Sequence, residues 1–335
     1  MDTTFSNTQE QAPVADFNQE DMVNALKSAD DSHQVSGGFL DNPWEGTRTY
    51  SDAELKDPNK IQTTINDNRT PLVVMFGART IGKTAALIRL TRYLESIGYT
   101  VKPERSFRPA YDTHYKTLCD RFHDVVYSPT SSGGTEVMSF MLVTVYGKDE
   151  RPICQIVEAP GEHYFEPADV GMPFPRYLVN IFSMNNPKVW VFFHVKSWEF
   201  DDVIHRRYAE RVQMMKQEFH YVLPKDRVVF ACTKVDQRER QVPYKENGRP
   251  NIPLLYERIV GEYPVGDPGR TERNIFTQYE NTHPISRLWR PHNYLFIPFS
   301  AGSFTPTESG EEYYVPGPDY YPAMLWSAIN KKSLL

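Results

Sequence analysis

From residue 71 onward, continuous apolar runs of strand length alternate with stretches whose apolar residues recur every three or four positions. Pro71–Phe76 (PLVVMF) predicts a buried strand. Lys83–Ile97 follows as a helix, with Leu87, Leu90, Leu94 and Ile97 on one face and Gly98 suited to its C-terminal cap. Tyr111–Val126 predicts a second helix. Ser139–Tyr146 and Pro152–Val157 predict a hairpin closed through Gly147-Lys148-Asp149-Glu150. Lys188–Val195 is another buried strand, and Asp201–Tyr221 a long helix with Tyr208, Val212, Met215 and Phe219 at helical spacing. Arg227–Cys232 and Tyr294–Phe299 complete the strands, and Pro322–Lys331 forms a closing helix. Strand and helix in alternation predict an α/β fold: a doubly wound, mostly parallel sheet with helices on both faces.

Between the last two strands lies a Pro-rich irregular stretch, 237–291, with one helix expected near Leu254–Val260. It is longer than connections usually are and reads as an insertion. Residues 1–70 differ in kind. They are poor in aliphatics and carry 13 acids against 5 bases, so a largely disordered acidic tail is expected there, with the folded domain at 71–335. Two islands interrupt it, around Met22, Val23 and Leu26 and at Phe39–Trp44, where a docking or self-inhibiting segment is the alternative.

The tail's net −8 exceeds the formal charge of −6 for the whole chain; the remainder has 30 acids and 32 bases, a net of +2. That near-neutral body implies no general nucleic-acid surface. No apolar run approaches the roughly 18 to 20 residues of a membrane span. Cys119, Cys154 and Cys232 are far apart and nine histidines lack metal-ligand spacing, which argues against a disulfide framework or zinc site and fits a reducing, cytoplasmic compartment.

The chemistry is carried by Gly77-Ala78-Arg79-Thr80-Ile81-Gly82-Lys83-Thr84, a match to G-x-x-x-x-G-K-[ST] placed between a buried strand and an amphipathic helix. Glycines permit the tight turn that faces successive backbone N–H groups toward phosphate, and the helix N-terminus adds its dipole. Lys83 would reach the β- and γ-phosphates, and the Thr84 hydroxyl would ligate Mg²⁺. A phosphate-binding loop alone cannot tell adenine from guanine. Thr233-Lys234-Val235-Asp236, directly after a predicted strand, is where the chain resembles the Ras-like, translation-factor-related P-loop GTPases, whose guanine-reading motif is [NT]-K-x-D. An Asp236 carboxylate could accept the paired ring and amine N–H groups of guanine, and the Lys234 stem would cover the base.

What the resemblance implies further falls on specific residues. The phosphate cradle extends to Ala85. Glu158-Ala159-Pro160-Gly161 resembles D-x-x-G, in which the acid holds Mg²⁺ and the glycine N–H meets the γ-phosphate; Glu158 here replaces the usual Asp. Glu162 stands where relatives often place a water-orienting Gln, and either acts as a base or repels phosphate. His163 is the next candidate to position water, an exposed loop histidine being the plainer reading. Ser300-Ala301-Gly302 resembles S-A-K, with the Ala301 N–H facing guanine O6 and Gly302 in place of Lys. Thr135, within a Gly/Ser-rich loop, is the expected switch ligand to Mg²⁺, with Thr130 the alternative. Arg79 occupies a position that is small in relatives; it points to solvent or stabilises transition-state charge. Arg206, Arg207 and Arg211 read as a solvated helix face, or as a lid if the chain were a kinase.

The implied function is a Mg²⁺-dependent GTPase acting as a molecular switch, with GTP and GDP as ligands. A non-hydrolysing scaffold and an ATP-dependent P-loop kinase or ATPase are the alternatives. The pairing of E-A-P-G-E with T-K-V-D also looks like bacterial predicted double-GTPase proteins, which implies a companion GTPase or effector and a possible dimer.

Overall fold

The computed structural model describes residues 57–128, 140–166, 168–194, 202–219, 226–235, 243–248, 250–261, 294–306 and 312–330. Its main sheet has seven strands: β1 (Leu72–Phe76), β2 (Thr100–Pro103), β3 (Met141–Tyr146), β4 (Pro152–Glu158), β5 (Lys188–His194), β6 (Arg227–Cys232) and β7 (Tyr294–Pro298). They lie in the order β2-β3-β4-β1-β5-β6-β7. β4, β1, β5, β6 and β7 run parallel, while β3 is antiparallel to both β2 and β4. Strands β1 and β5 are buried along their full length, as unbroken apolar runs in a sheet covered on both faces must be.

The helices are α1 (Lys83–Ser96), α2 (Thr113–Asp120), α3 (Phe122–Tyr127), α4 (Gly161–Tyr164), α5 (Arg176–Ser183), α6 (Asp202–Phe219), α7 (Ile252–Gly261) and α8 (Tyr320–Asn330). A hairpin of β8 (Gly302–Pro306) and β9 (Glu312–Pro316) stands apart from the main sheet. None of the described helices is long and apolar enough to cross a membrane.

Helix α1 buries Leu87, Leu90 and Leu94 as its periodicity predicts, and Gly98 takes φ +88° just beyond its end. Ile97, expected on the same face, is 37% exposed because it already caps the helix. The single helix expected over 111–126 is two: the chain turns at Arg121, which ends α2 and begins α3, while the buried face continues through Tyr115, Cys119, Phe122 and Val125.

The elements without a sequence forecast are β2, α4, α5 and the β8–β9 hairpin. The domain also begins before residue 71. Ile61 is buried in the core, Thr64 N–H donates to the Phe107 carbonyl at 2.8 Å, and Asn186 Nδ2 donates to the Asp67 and Thr70 carbonyls at 2.9 and 2.8 Å. Residues 57–70, assigned above to the tail, therefore run along the domain, because their backbone carbonyls satisfy buried amides.

Candidate functional site

Strand β1 lies between β4 and β5, the place where strand order reverses and the connections leave on opposite sides. A crevice outside the carboxyl ends of the strands belongs at such a point. The segment 77–84 emerges there. A Cβ on Gly77 would come 3.0 Å from Ile81 Cγ2 and 3.1 Å from the Phe193 Cβ on β5, so glycine makes this close approach without displacing either. Thr80 (φ +60°) and Gly82 (φ +100°) turn the backbone through the left-handed region; at Thr80 that costs about 1 kcal/mol or more. Gly82 caps α1 without any side-chain hydrogen bond, so the first-turn N–H groups have no side-chain acceptor. That is the arrangement an anion completes. Lys83 is buried and donates to the carbonyls of Gly77 (3.0 Å) and Ala78 (3.2 Å). Burial pulls its pKa down, opposed by the charges of Glu158 and Glu162.

Glu158 ends β4, beside β1, and is buried. Its Oε1 accepts from the Thr84 hydroxyl at 2.9 Å and its Oε2 from the Phe140 N–H at 2.9 Å. Burial raises its pKa, while Lys83 and the two hydrogen bonds act the other way. Phe140 has φ +74°, an outlying conformation for a bulky residue, and the carboxylate holds it. The Asp-to-Glu departure therefore has a local reason: the longer side chain spans from the start of β3 to the phosphate-loop helix.

Gly161 opens α4 against the phosphate loop. A Cβ there would lie 2.2 Å from Arg79 N and 2.4 Å from Ala78 C. Glu162 is exposed, and its charge acts on Lys83, Glu158 and His163. His163 is not the exposed loop residue expected. It is half-buried, its Nδ1 lies 2.7 Å from the Tyr177 hydroxyl, and its ring meets Phe140 and Tyr177 edge-on. Burial pushes its pKa down to about 4, with Lys83 acting the same way and Glu162 opposing. A folded pKa below the unfolded value gives stability that is complete above about pH 6.5 and lost as pH falls through 4. Urea midpoints measured from pH 7 to pH 4 are therefore expected to fall in the wild type and to fall less in His163→Gln. Parallel curves would refute this.

Arg211 also corrects its reading as part of a solvated face. It is buried, stacks 3.6 Å over the Phe174 ring, and donates to the carbonyls of Tyr164 (2.9 Å), Val170 (3.2 Å) and Met172 (2.6 Å). One guanidinium thus ties the chain following Gly161 to α6. Burial lowers its pKa to about 10. Tyr164, fully buried, places its ring 5.8 Å from the Lys83 ammonium. Nothing in a linear sequence marks an arginine whose partners are carbonyls.

On the other side of β1, the ends of β5, β6 and β7 come together. Thr233 N–H and Oγ1 donate to the His194 carbonyl at 2.8 and 3.1 Å, and Phe299 N–H donates to the Cys232 carbonyl at 2.7 Å. Thr233 and Ser300 are buried, and Lys234 has φ +57°. The residues predicted after β1, β4, β6 and β7 thus line one edge of one sheet. The fold is α/β, a mostly parallel sheet with the glycine-rich turn between β1 and α1. Arg79 is exposed at the loop. Asp236, Thr135 and Thr130 lie outside the described residues.

No family model and no curated protein matches the chain. Among solved structures, a bacterial selenocysteine-specific elongation factor is 11% identical, with 78% of this chain aligned to 28% of that one at a TM-score of 0.32. A GDP-bound Roco protein fragment from Methanosarcina barkeri is 9% identical over 82% of this chain and 52% of its own, at 0.30. A GTPase in apo form from Pyrococcus abyssi is 11% identical over 79% and 97%, at 0.36. This chain thus spans about a quarter and about half of the first two proteins. Likenesses this distant extend to fold class alone.

The donor set at the loop suits Mg²⁺, since Thr84 and Glu158 offer hard oxygens in contact beside the phosphate cradle. Among the described residues no group of three or more His, Cys, Asp or Glu could form an all-protein metal cage.

Proposed function

We propose that the domain binds guanine nucleotide with Mg²⁺ and hydrolyses GTP to GDP and phosphate as a switch. The observation that carries the reading is the buried Thr84–Glu158 hydrogen bond beside Lys83, at the mouth of the β1–α1 turn. Backbone N–H groups of residues 78–85 would cradle the phosphates, and Lys83 would exchange its two carbonyl partners for β- and γ-oxygens. Thr84 and Glu158 would hold the Mg²⁺, which would offset the charge that develops on the phosphates. Gly161 packs against the backbone of Ala78 and Arg79, so its N–H is the group that would report the γ-phosphate. Arg79, exposed beside Gly161, would meet negative charge on the transferred phosphoryl group as water adds and the β–γ bridging oxygen leaves with GDP. Glu162 would orient that water, and Thr135 would be the switch ligand. Thr233, Lys234 and Asp236, with Ser300 and Ala301, would hold the base.

A non-hydrolysing scaffold is the second reading. It is favoured by Glu162, whose exposed carboxylate acts on Lys83 and would repel a γ-phosphate held by it. The acidic tail and the insertion at 237–291 would supply surfaces for a protein partner or companion GTPase. Three buried free thiols suit a reducing compartment.

The test is a Mg²⁺-dependent titration with labelled GDP, GTP, xanthine nucleotides and ATP on wild type and Asp236→Asn. Guanine preference is expected in the wild type, moving toward xanthine in the variant by at least about 100-fold. Turnover then separates switch from scaffold. Equal or tighter ATP binding, unmoved by the substitution, would leave a P-loop kinase or ATPase instead.

A further inference from the structure

The loop Ser300–Gly302 is held by a device with no counterpart in the motifs above. Its outer wall is the β8–β9 hairpin. The Tyr314 hydroxyl on β9 donates to the Ala301 carbonyl, and Gly317 N–H donates to the same oxygen at 3.4 Å. Within the loop, Gly302 N–H donates to the Ser300 Oγ at 3.1 Å. Gly302 has φ +124°, and a Cβ there would fall 2.2 Å from the Val315 carbonyl oxygen. The position that is lysine in S-A-K is glycine here because the return strand lies directly against it.

The hairpin is in turn fastened to α1. Arg92, nine residues after Lys83, lays its guanidinium 4.7 Å over the Tyr314 ring and donates to the carbonyls of Val126 and, at 2.9 Å, Ser128. Arg89 is buried, pairs with Asp319, and donates to the Gly317 carbonyl at 2.7 Å. One phenol thus stands between the helix that begins at the phosphate loop and the carbonyl of the residue whose N–H is expected to meet the base. Burial keeps the phenol protonated, and so a donor.

We infer that Tyr314 is a positioning residue for base recognition: its hydroxyl fixes the Ala301–Gly302 peptide, which sets the adjoining Ser300–Ala301 peptide whose N–H is expected to meet the base, and the hairpin replaces the missing lysine in holding the base-reading loop. This rests on the proposal that Ser300 and Ala301 face the base. A released Ala301–Gly302 peptide would let the neighbouring Ala301 N–H swing away from guanine O6 and leave the phosphate cradle intact. The effect should therefore divide between the two ends of the nucleotide.

The experiment uses the full chain with Tyr314→Phe, which removes one hydroxyl and keeps the ring under Arg92. GDP, ADP and inorganic tripolyphosphate are titrated with Mg²⁺, alongside thermal melts. The expected result is GDP binding weakened about three- to tenfold, a smaller GDP-to-ADP preference, and tripolyphosphate affinity unchanged. Gly302→Ala, which forces the same loop from the other side, should give the same signature. Unchanged GDP affinity in Tyr314→Phe would overturn the inference. So would a parallel loss for GDP and tripolyphosphate with a lowered melting temperature, which marks a structural role only. A wild type that binds tripolyphosphate but shows no guanine preference would overturn the base-reading proposal itself, and with it this inference.

Discussion

Glu158→Ala is expected to lower stability by about 2–3 kcal/mol and to weaken Mg²⁺-dependent nucleotide binding by more than tenfold. Two effects compete at this residue. Burial alone raises the carboxyl pKa, so the charge itself is a cost to the folded state. Removing it, however, strands the buried Thr84 hydroxyl and the Phe140 N–H and takes away a counter-charge from buried Lys83. Stranded polar groups cost about 1–3 kcal/mol each, and that outweighs the relief. Glu158→Gln separates the contributions, because its amide keeps one acceptor oxygen and loses the charge. It should retain most of the stability and lose most of the Mg²⁺ dependence. Urea unfolding with and without Mg²⁺ and nucleotide reads both. An alanine variant within 0.5 kcal/mol of wild type would show that the carboxylate supports nothing.

Gly161→Ala should be nearly as damaging, through sterics rather than charge. Its new methyl would meet backbone atoms of Ala78 and Arg79 at 2.2–2.4 Å, and backbone cannot swing aside as a side-chain end can. Overpacking of this kind costs about 1–3 kcal/mol, and the relief available is to lift α4 from the phosphate loop. If the close approach matters to γ-phosphate sensing, the variant should keep its affinity for GDP and lose any preference for a GTP analogue. Paired titrations decide it, with a melt to record the loss of stability. A variant matching wild type in both would mean that the contact opens freely.

Much of the domain was legible in the sequence, because buried parallel strands are unbroken apolar runs and the phosphate loop has a fixed spacing. β4, with Glu158 at its end, and β5 emerged nearly to the residue. β2 did not, since four residues reading Thr-Val-Lys-Pro carry no apolar run; its pairing with β3 makes it a strand. Tyr177, Leu178, Ile181 and Phe182 hold the spacing of α5, but Pro173 and Pro175 just ahead of them suggest a loop. The break at Arg121 is invisible to periodicity, as the apolar face runs straight through it. The site was legible where it is a motif. It was hidden where it depends on what a side chain finds in three dimensions: Arg211 on three carbonyls, Glu158 bridging to Phe140, Tyr314 on Ala301. A carbonyl acceptor leaves no trace in residue order.

Helix α1 packs on α8, Tyr99 just beyond α1 meets Trp326 edge-on, and Arg89 pairs with Asp319 some 230 positions further along. On a ribosome adding about 5–20 residues per second, the phosphate-loop helix waits about 10–50 s for that cover. Closing so long a loop is also slow in refolding, since the entropy must be lost before the contacts form. The nascent chain would therefore carry an uncovered apolar helix face through most of its synthesis, a natural substrate for a chaperone. Nucleotide competence would arrive abruptly, with the closing of the fold.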